Sequence, residues 1–556
     1  MRDMNTRAVL LLAAMATACA KPTPPPVLSQ LPDIDTGAIM GHVKVLSSDE
    51  FEGRAPGTKG EELTVAYLID QFKKIGLKPG NTDGTYVQKV PLVGITPAPA
   101  PLVFAKGTQQ ITLKWKDDVV AWTKHVADVA GIDKSDLVFV GYGVVAPEFN
   151  WDDYKGLDVK GKTLVMLVND PPVADPAKPG ELDPKVFGGK AMTYYGRWTY
   201  KYEIGAKKGA AGVLIVHETG PAGYGFNVVQ NKVEEQFDLV TPDKNMGRAS
   251  IEGWITLDQA HRLFKLAGQD FDALEKQAAT RDFKPVALGV KASITIRNSL
   301  RTIESQNVLG RLEGADAADT VHRDEYVVYT AHWDHLGKTS EGIFHGAVDN
   351  ASGTASILEI ARAFTKVSPP PKRSILFVSV TAEEQGLLGS EYYSVTPVYP
   401  LSKTLANINI DGINVNGRTK DITLVGYGAS DLDDYARAAA AEQGRTIHGD
   451  AEPEKGFYYR SDHFNFAKLG VPALDPDDGV EYVGKPASYS QQVRDEYTNK
   501  RYHQPSDVIT PAWDLSGAAE DLKVLFAVGY RVAQAEKFPE WKPGNEFKAI
   551  RDAQLK

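Results

Sequence analysis

Five side chains between His332 and His503 are of the types that hold divalent metal ions. They are His332 in AHWDHLG, Asp349 in GAVDNASGT, Glu384 in TAEEQGLLGS, Asp411 in NINIDGIN and His503 in YHQPSD. Two imidazoles and three carboxylates, with Asp349 shared, suit a pair of zinc ions holding a water between them. Glu383 stands beside a ligand and can serve as the base. A bound zinc lowers the pKa of its water towards about 7, and a neighbouring carboxylate completes the activation. Two metals roughly 3.5–4 Å apart also polarise a carbonyl, so the chemistry expected is hydrolysis.

Elements must bring these residues together. Tyr326–Thr330 reads as a buried strand running up to His332, Ser374–Val380 as one leading to Glu383 and Glu384, and Leu405–Ile410 as one leading to Asp411. Open α/β sheets bind ligands at the carboxyl ends of their strands, so three segments deliver ligands to one edge. Asp349 precedes a helical run, Ser352 to Phe364, with apolar Ile357, Leu358, Ala361 and Phe364. Alone it would be a helix cap favoured by the dipole; Gly346 and Gly353, with the other ligands, favour a bridging role. Asp334 in His-x-Asp is placed to accept the second ring proton of a metal-bound His332. His335 is a rival ligand, and His332 is preferred because it lies nearer the strand end. His503 sits in a polar loop that Pro505 and Asp507 shape into a turn, and a second site otherwise built from carboxylates needs an imidazole.

The 556 residues imply at least two domains, with 24% charged and 42% hydrophobic residues, as in ordinary globular proteins. A net charge of -10 speaks against nucleic acid or an anionic membrane as the main partner. Residues 1–18 read as a signal peptide, with Arg2 and Arg7, an apolar Ala8–Ala16 run and small residues before Cys19. Residues 19–37 form a Pro-rich spacer. This resembles a bacterial lipoprotein signal, giving a periplasmic or outer-membrane protein attached through lipidated Cys19; plain secretion is the alternative. The sole cysteine excludes an intrachain disulfide. Residues 38–100 show helical spacing and the polar loop EFEGRAPGTKG, and residues 101–291 carry short strand-like runs. Residues 292–535 alternate long strands and helices, the pattern of a mostly parallel sheet, and 536–556 form a tail. The fold class expected is α/β, a mixed and mostly parallel sheet flanked by helices, with a β-rich domain inserted.

The segments HWD, GAVDNASG, TAEEQGLLGS, IDG, RSDHFNFAKLGVPA and YHQPSD, in this order, resemble the co-catalytic di-zinc aminopeptidase family, peptidase family M28. Its relatives include secreted bacterial leucyl aminopeptidases and glutamate carboxypeptidase. The resemblance covers about residues 38–100 and 292–535. It implies two zinc ions, one held by His332, Asp349 and Asp411 and the other by Asp349, Glu384 and His503, with Glu383 as general base. It also implies that Tyr502 helps to hold the oxyanion. Residues 101–291 resemble a protease-associated domain, on GYGVVAPEFNWDDYKGLDVKGKTLVML and KYEIGAKKGAAGVLIVHE.

In RSDHFNFAKLGVPA, Asp462 reads as an outer-shell residue and His463 as a residue outside the ligand set, with Arg460 a candidate for facing the substrate. Phe457-Tyr458-Tyr459 reads equally as a specificity pocket or as packing. The leading reading is an aminopeptidase acting on peptides. A carboxypeptidase or other amide hydrolase keeps the metals and changes the substrate. A glutaminyl cyclase would use a single zinc, which the full ligand set disfavours. A metal-free receptor-like protein is disfavoured because every ligand and the base are present.

Overall fold

The computed structural model describes residues 26–231, 235–315 and 319–556. The expected leader and Cys19 lie outside them. Helix α1 (Thr36–Leu46) starts on Asp35, whose carboxylate accepts from the Gly37 and Ala38 amides. Helix α2 (Lys59–Ile75) starts on Thr58, which accepts from Gly60, and ends at left-handed Gly76. Each buries one apolar stripe, Ile39, Val43 and Leu46 on α1 and Val65, Leu68 and Phe72 on α2.

Strand β1 (Val87–Pro99) leads into a second lobe. There β2 (Thr163–Leu167), helix α3 (Trp198–Lys207), β3 (Gly212–His217) and β4 (Ile251–Thr256) build a parallel core with β3 central. Every residue of β2 and β3 is buried, as a strand covered on both faces requires. The lobe has its own apolar core, which includes Phe104, Phe139, Val165, Ile215, Trp254 and Phe264. The chain returns along β5 (Val286–Leu312), which pairs antiparallel with β1 over Ile296–Val308. Its first part pairs with Val129–Phe139 of the second lobe. The expected border between residues 291 and 292 therefore falls inside one unbroken strand.

The remaining elements are β6 (Tyr326–His332), α4 (Gly353–Phe364), β7 (Ser374–Val380), β8 (Thr404–Asn409), β9 (Asp421–Val425), β10 (Ala473–Asp477) and α5 (Ser516–Gln534). They give the order β5-β7-β6-β8-β10-β9, in which β7, β6, β8 and β10 are parallel and β5 and β9 antiparallel. The sheet is thus mixed and mostly parallel, and its helices flank it as the alternating pattern requires. Because β6, β7 and β8 are parallel, His332, Glu383–Glu384 and Asp411 emerge at one edge.

Helices α4 and α5 pack on one face through Tyr329, Phe364, Phe377 and Phe526, with Phe364 edge-on to Phe526 at 4.6 Å. The Tyr329 hydroxyl donates to the Leu525 carbonyl at 2.8 Å, which brings it against Gly529. A Cβ at Gly529 would lie 2.0 Å from that hydroxyl. Gly529→Ala is expected to destabilise the protein by about 1–3 kcal/mol through overpacking, despite alanine's better helix propensity. A denaturant midpoint unchanged from wild type would show that α5 shifts freely and would refute this tight fit.

Candidate metal centre

The sheet edge gathers the predicted ligands in one partly buried site. His332 Nε2 lies 3.0 Å from Asp411 Oδ1, 3.3 Å from Asp349 Oδ1 and 3.9 Å from Glu383 Oε2. His503 Nε2 lies 3.0 Å from Glu384 Oε2 and 3.3 Å from Asp349 Oδ2. The two oxygens of Asp349 therefore face different imidazoles, as a shared ligand requires. Two triads have donor atoms mutually within 4.8 Å: His332, Glu383 and Asp411, and His335, Asp349 and Glu384. His335, the rival in HWDH, thus joins the second cluster, with Nδ1 2.6 Å from Glu384 Oε1. The two histidines of the motif serve different clusters rather than competing for one.

The outer residues differ in detail from expectation. His332 Nδ1 is 3.1 Å from the backbone oxygen of Asp334 and 3.8 Å from its carboxylate. The carbonyl is the nearer acceptor, because the Asp334 carboxylate turns to accept from the Glu383 amide at 3.1 Å. Asp334 thus connects the two segments through both its groups. Tyr502 stacks on His503 with ring centroids 3.9 Å apart and is 47% exposed, so its ring borders the site and remains open to solvent. Asp462 is fully buried, and burial pushes its carboxyl up to about 7 while His332 and Ser390 pull it down. His463 stands in neither cluster, and burial pulls its imidazole down to about 3, so it is neutral.

Other residues hold the site in shape. Arg54, from the loop that read as merely polar, is wholly buried. Its guanidinium donates to the carbonyls of Trp333, Leu46, His345 and Gly346. It ties together the segments carrying Asp334 and Asp349. Asp507 accepts from the amides of Val348 and Asp349, fixing the bridging residue from the His503 side. Asn350 donates to the Ile410 carbonyl and accepts from Gly353 and Gly412, joining the Asp349 and Asp411 loops. Ser461 donates to Asp411 Oδ2 at 2.6 Å. Arg54, Ala382 before Glu383, and His503 itself all have left-handed φ, of 54°, 52° and 55°. Such strain in non-glycine residues persists where the surroundings over-determine it. Only Asp507, in its shaped turn, left a sequence signal; a buried Arg54 looks like a solvated one in a polar run.

The donor set fits a pair of cations. Asp349, Glu383, Glu384 and Asp411 converge with three imidazoles and no thiolate, a chemistry suited to zinc, and also to cobalt or manganese. Within the protein alone, protons balance that charge. Burial works against a charged His503, but Glu384 and Asp349 outweigh it and hold the imidazole at about 10. Burial and Asp349 push Glu384 up, yet His503 and His335 prevail and keep it at about 2. Metal ligation requires neutral imidazole. Zinc loading at neutral pH is therefore expected to release protons from the histidines, and zinc affinity to rise with pH up to about 10. Titration calorimetry in two buffers of different ionisation enthalpy reads this directly; absence of proton release would show the imidazoles already neutral.

Residues 307–527 match the family model described as Peptidase family M28. Aminopeptidase NAALADL1 of Mus musculus is 42% identical over 132 residues, 23% of this chain and 16% of that protein. Leupeptin-inactivating enzyme 1 of Streptomyces exfoliatus is 26% identical over 225 residues, 40% of this chain and 48% of that one. The match to NAALADL1 and its Rattus norvegicus counterpart spans 16% of the length of those relatives. Among solved structures, an aminopeptidase from Aneurinibacillus sp. strain AM-1 shares the fold, with a TM-score of 0.50 and 18% identity over 92% of this chain and 96% of that one. The matched segment contains every residue of both clusters, so the likeness to peptidase family M28 falls on the part of the chain that builds the metal centre.

Proposed function

We propose that the chain is an exported di-zinc aminopeptidase that removes N-terminal residues from peptides. The observation carrying this reading is Asp349, whose two oxygens face His332 and His503 while Glu383 lies half-buried beside them. His332, Asp349 and Asp411 would hold one zinc, and Asp349, Glu384 and His503 the other, together supplying a nucleophilic water and an electrophile for the peptide carbonyl. Glu383 takes the proton of the attacking water and passes it to the departing amine. The Asp334 carboxylate, accepting from the Glu383 amide, fixes where that base stands. The Tyr502 hydroxyl, on a ring held against His503, donates to the oxyanion as the carbonyl becomes tetrahedral. The carboxylates around the site would receive the substrate's free ammonium group.

The second lobe, residues 101–291, fits a protease-associated domain that shapes access to the site. Its Met192 amide donates to the Pro453 carbonyl of the peptidase lobe at 3.0 Å, and Tyr194 packs on Phe464 with ring centroids 5.0 Å apart. Export rests on the leader and Cys19, which would anchor the mature chain through lipid. No helix among the described residues is long and apolar enough to cross a membrane. In cells that export the protein, Cys19→Ala is expected to move it from the membrane fraction to the soluble periplasm or medium. Retention at the membrane would refute lipid anchoring.

Free and N-acetylated aminoacyl-nitroanilides, with and without chelator, test the activity. Zinc-loaded protein is expected to cleave only the free-amine substrates, and chelator to abolish cleavage. Glu383→Gln should lower turnover by about 10²–10⁴-fold with both zinc ions retained by metal analysis. Turnover retained in that variant removes Glu383 as the base, and no cleavage of either substrate set by two-zinc protein removes the aminopeptidase reading.

A further inference from the structure

Residues 381–389 carry Glu383 and Glu384 from the end of β7 into the helix Leu388–Val395. Ala382, Gly386 and Leu387 in this loop have left-handed φ, of 52°, 114° and 63°. Residues other than glycine keep such backbone only where the surroundings over-determine it. Part of that restraint is internal. The Gly389 amide donates to the Thr381 carbonyl at 2.9 Å, and the Leu388 amide to the Ala382 carbonyl at 3.0 Å.

Asn307, on β5, grips the same two end residues from outside. Its Oδ1 accepts from the Thr381 amide at 3.0 Å, and its Nδ2 donates to the Gly389 carbonyl at 2.9 Å. The carboxamide thus acts as a peptide group of a neighbouring strand would, bonded to both ends of the loop that carries the carboxylates. The other Nδ2 hydrogen goes to Gln88 Oε1 at 3.0 Å, directly opposite on β1. Gln88 Nε2 in turn donates to the Thr396 carbonyl at 2.8 Å. Asn307 is fully buried and uses every hydrogen of its carboxamide. The fit is close, since a Cβ on Gly389 would stand 2.2 Å from the Thr381 oxygen and 2.6 Å from Asn307 Oδ1. Ser305, two residues earlier and so on the same face of β5, adds a second tie. Its hydroxyl lies 2.6 Å from Thr381 Oγ1 and donates to Glu61 of α2 at 2.8 Å.

Thr381 presents a donor and Gly389 an acceptor, and a carboxamide answers both at once. An apolar side chain there would leave the Thr381 amide buried without its acceptor. We propose that Asn307 is a positioning residue for the reaction. By holding residues 381 and 389 it sets where Glu383 stands as base and where Glu384 stands as metal ligand. The part played through Glu383 rests on the peptidase reading above, and the hold on Glu384 rests on the donor set alone.

Zinc binding and turnover of aminoacyl-nitroanilides are measured in Asn307→Ala, in Glu383→Gln and in the double variant. Calorimetric zinc titration of Asn307→Ala protein is expected to show one ion, the one Glu384 holds, weakened about ten- to a hundredfold, as when a partner behind a metal ligand is removed. The other ion should bind nearly as in wild type. At saturating zinc, kcat should fall by a similar factor while KM stays within about twofold, the mark of an interaction made in the transition state. Adding Asn307→Ala to Glu383→Gln should lower turnover little further, because a base already removed cannot also be misplaced. Two ions weakened alike, neither weakened, or losses that multiply in the double variant overturn the assignment, the first and last being what general loosening gives. Where Asn307→Ala does not fold, Gln88→Leu removes the acceptor that orients the carboxamide and should give the same pattern with smaller losses. One ion weakened in the variant, with no cleavage by the wild type, keeps Asn307 as the holder of Glu384 and removes the aminopeptidase reading.

Discussion

Like charge held at close quarters is the constraint around which the peptidase lobe is arranged. Asp349, Glu383, Glu384 and Asp411 converge on one partly buried edge, where their mutual repulsion is less screened than in open water. Something cationic must stand among them, and the imidazoles of His332 and His503 already do so with protons. The protein also has to prevent the carboxylates from rotating away from one another. It does this with backbone: the parallel strands set the edge, and the short loops beyond them are held from behind by Arg54, Asn350 and Asp507.

That supporting layer explains why buried polar residues are so frequent near the site. Arg54 satisfies carbonyls that have no strand or helix to bond with, so the loops can remain irregular and still be fixed. Asp507 does the complementary work, accepting amides at the segment that presents Asp349. Both link the metal edge to distant parts of the chain, the first loop after α1 and the segment after His503.

The strand-ending ligands were legible in the sequence because period and chemistry coincide there: a buried apolar run, then a metal-binding side chain. The alternation of strands and helices after residue 292 was legible for the same reason. His335 was harder. HWDH places two imidazoles three residues apart, and only the turn after β6 decides that both enter the site, at different clusters. His332 Nδ1 meets the backbone carbonyl of Asp334 more closely than its carboxylate, and spacing alone does not tell those two acceptors of one residue apart. Arg54 was not legible at all, because burial of a charge depends on which distant segments fold over it. The border near residue 291 was hidden because a strand crosses it without a change of pattern.

The long ribbon of β1 and β5 has a mechanical consequence. Both strands run without a break from the peptidase sheet into the second lobe, cross-bonded over Ile296–Val308. A hinge needs a few residues free to change their dihedrals, and a paired double strand does not provide them. Reinforced at Met192 and Tyr194, the two lobes stand as fixed jaws. Whatever reaches the metal edge therefore meets a frame of set dimensions, a gauge instead of a gate.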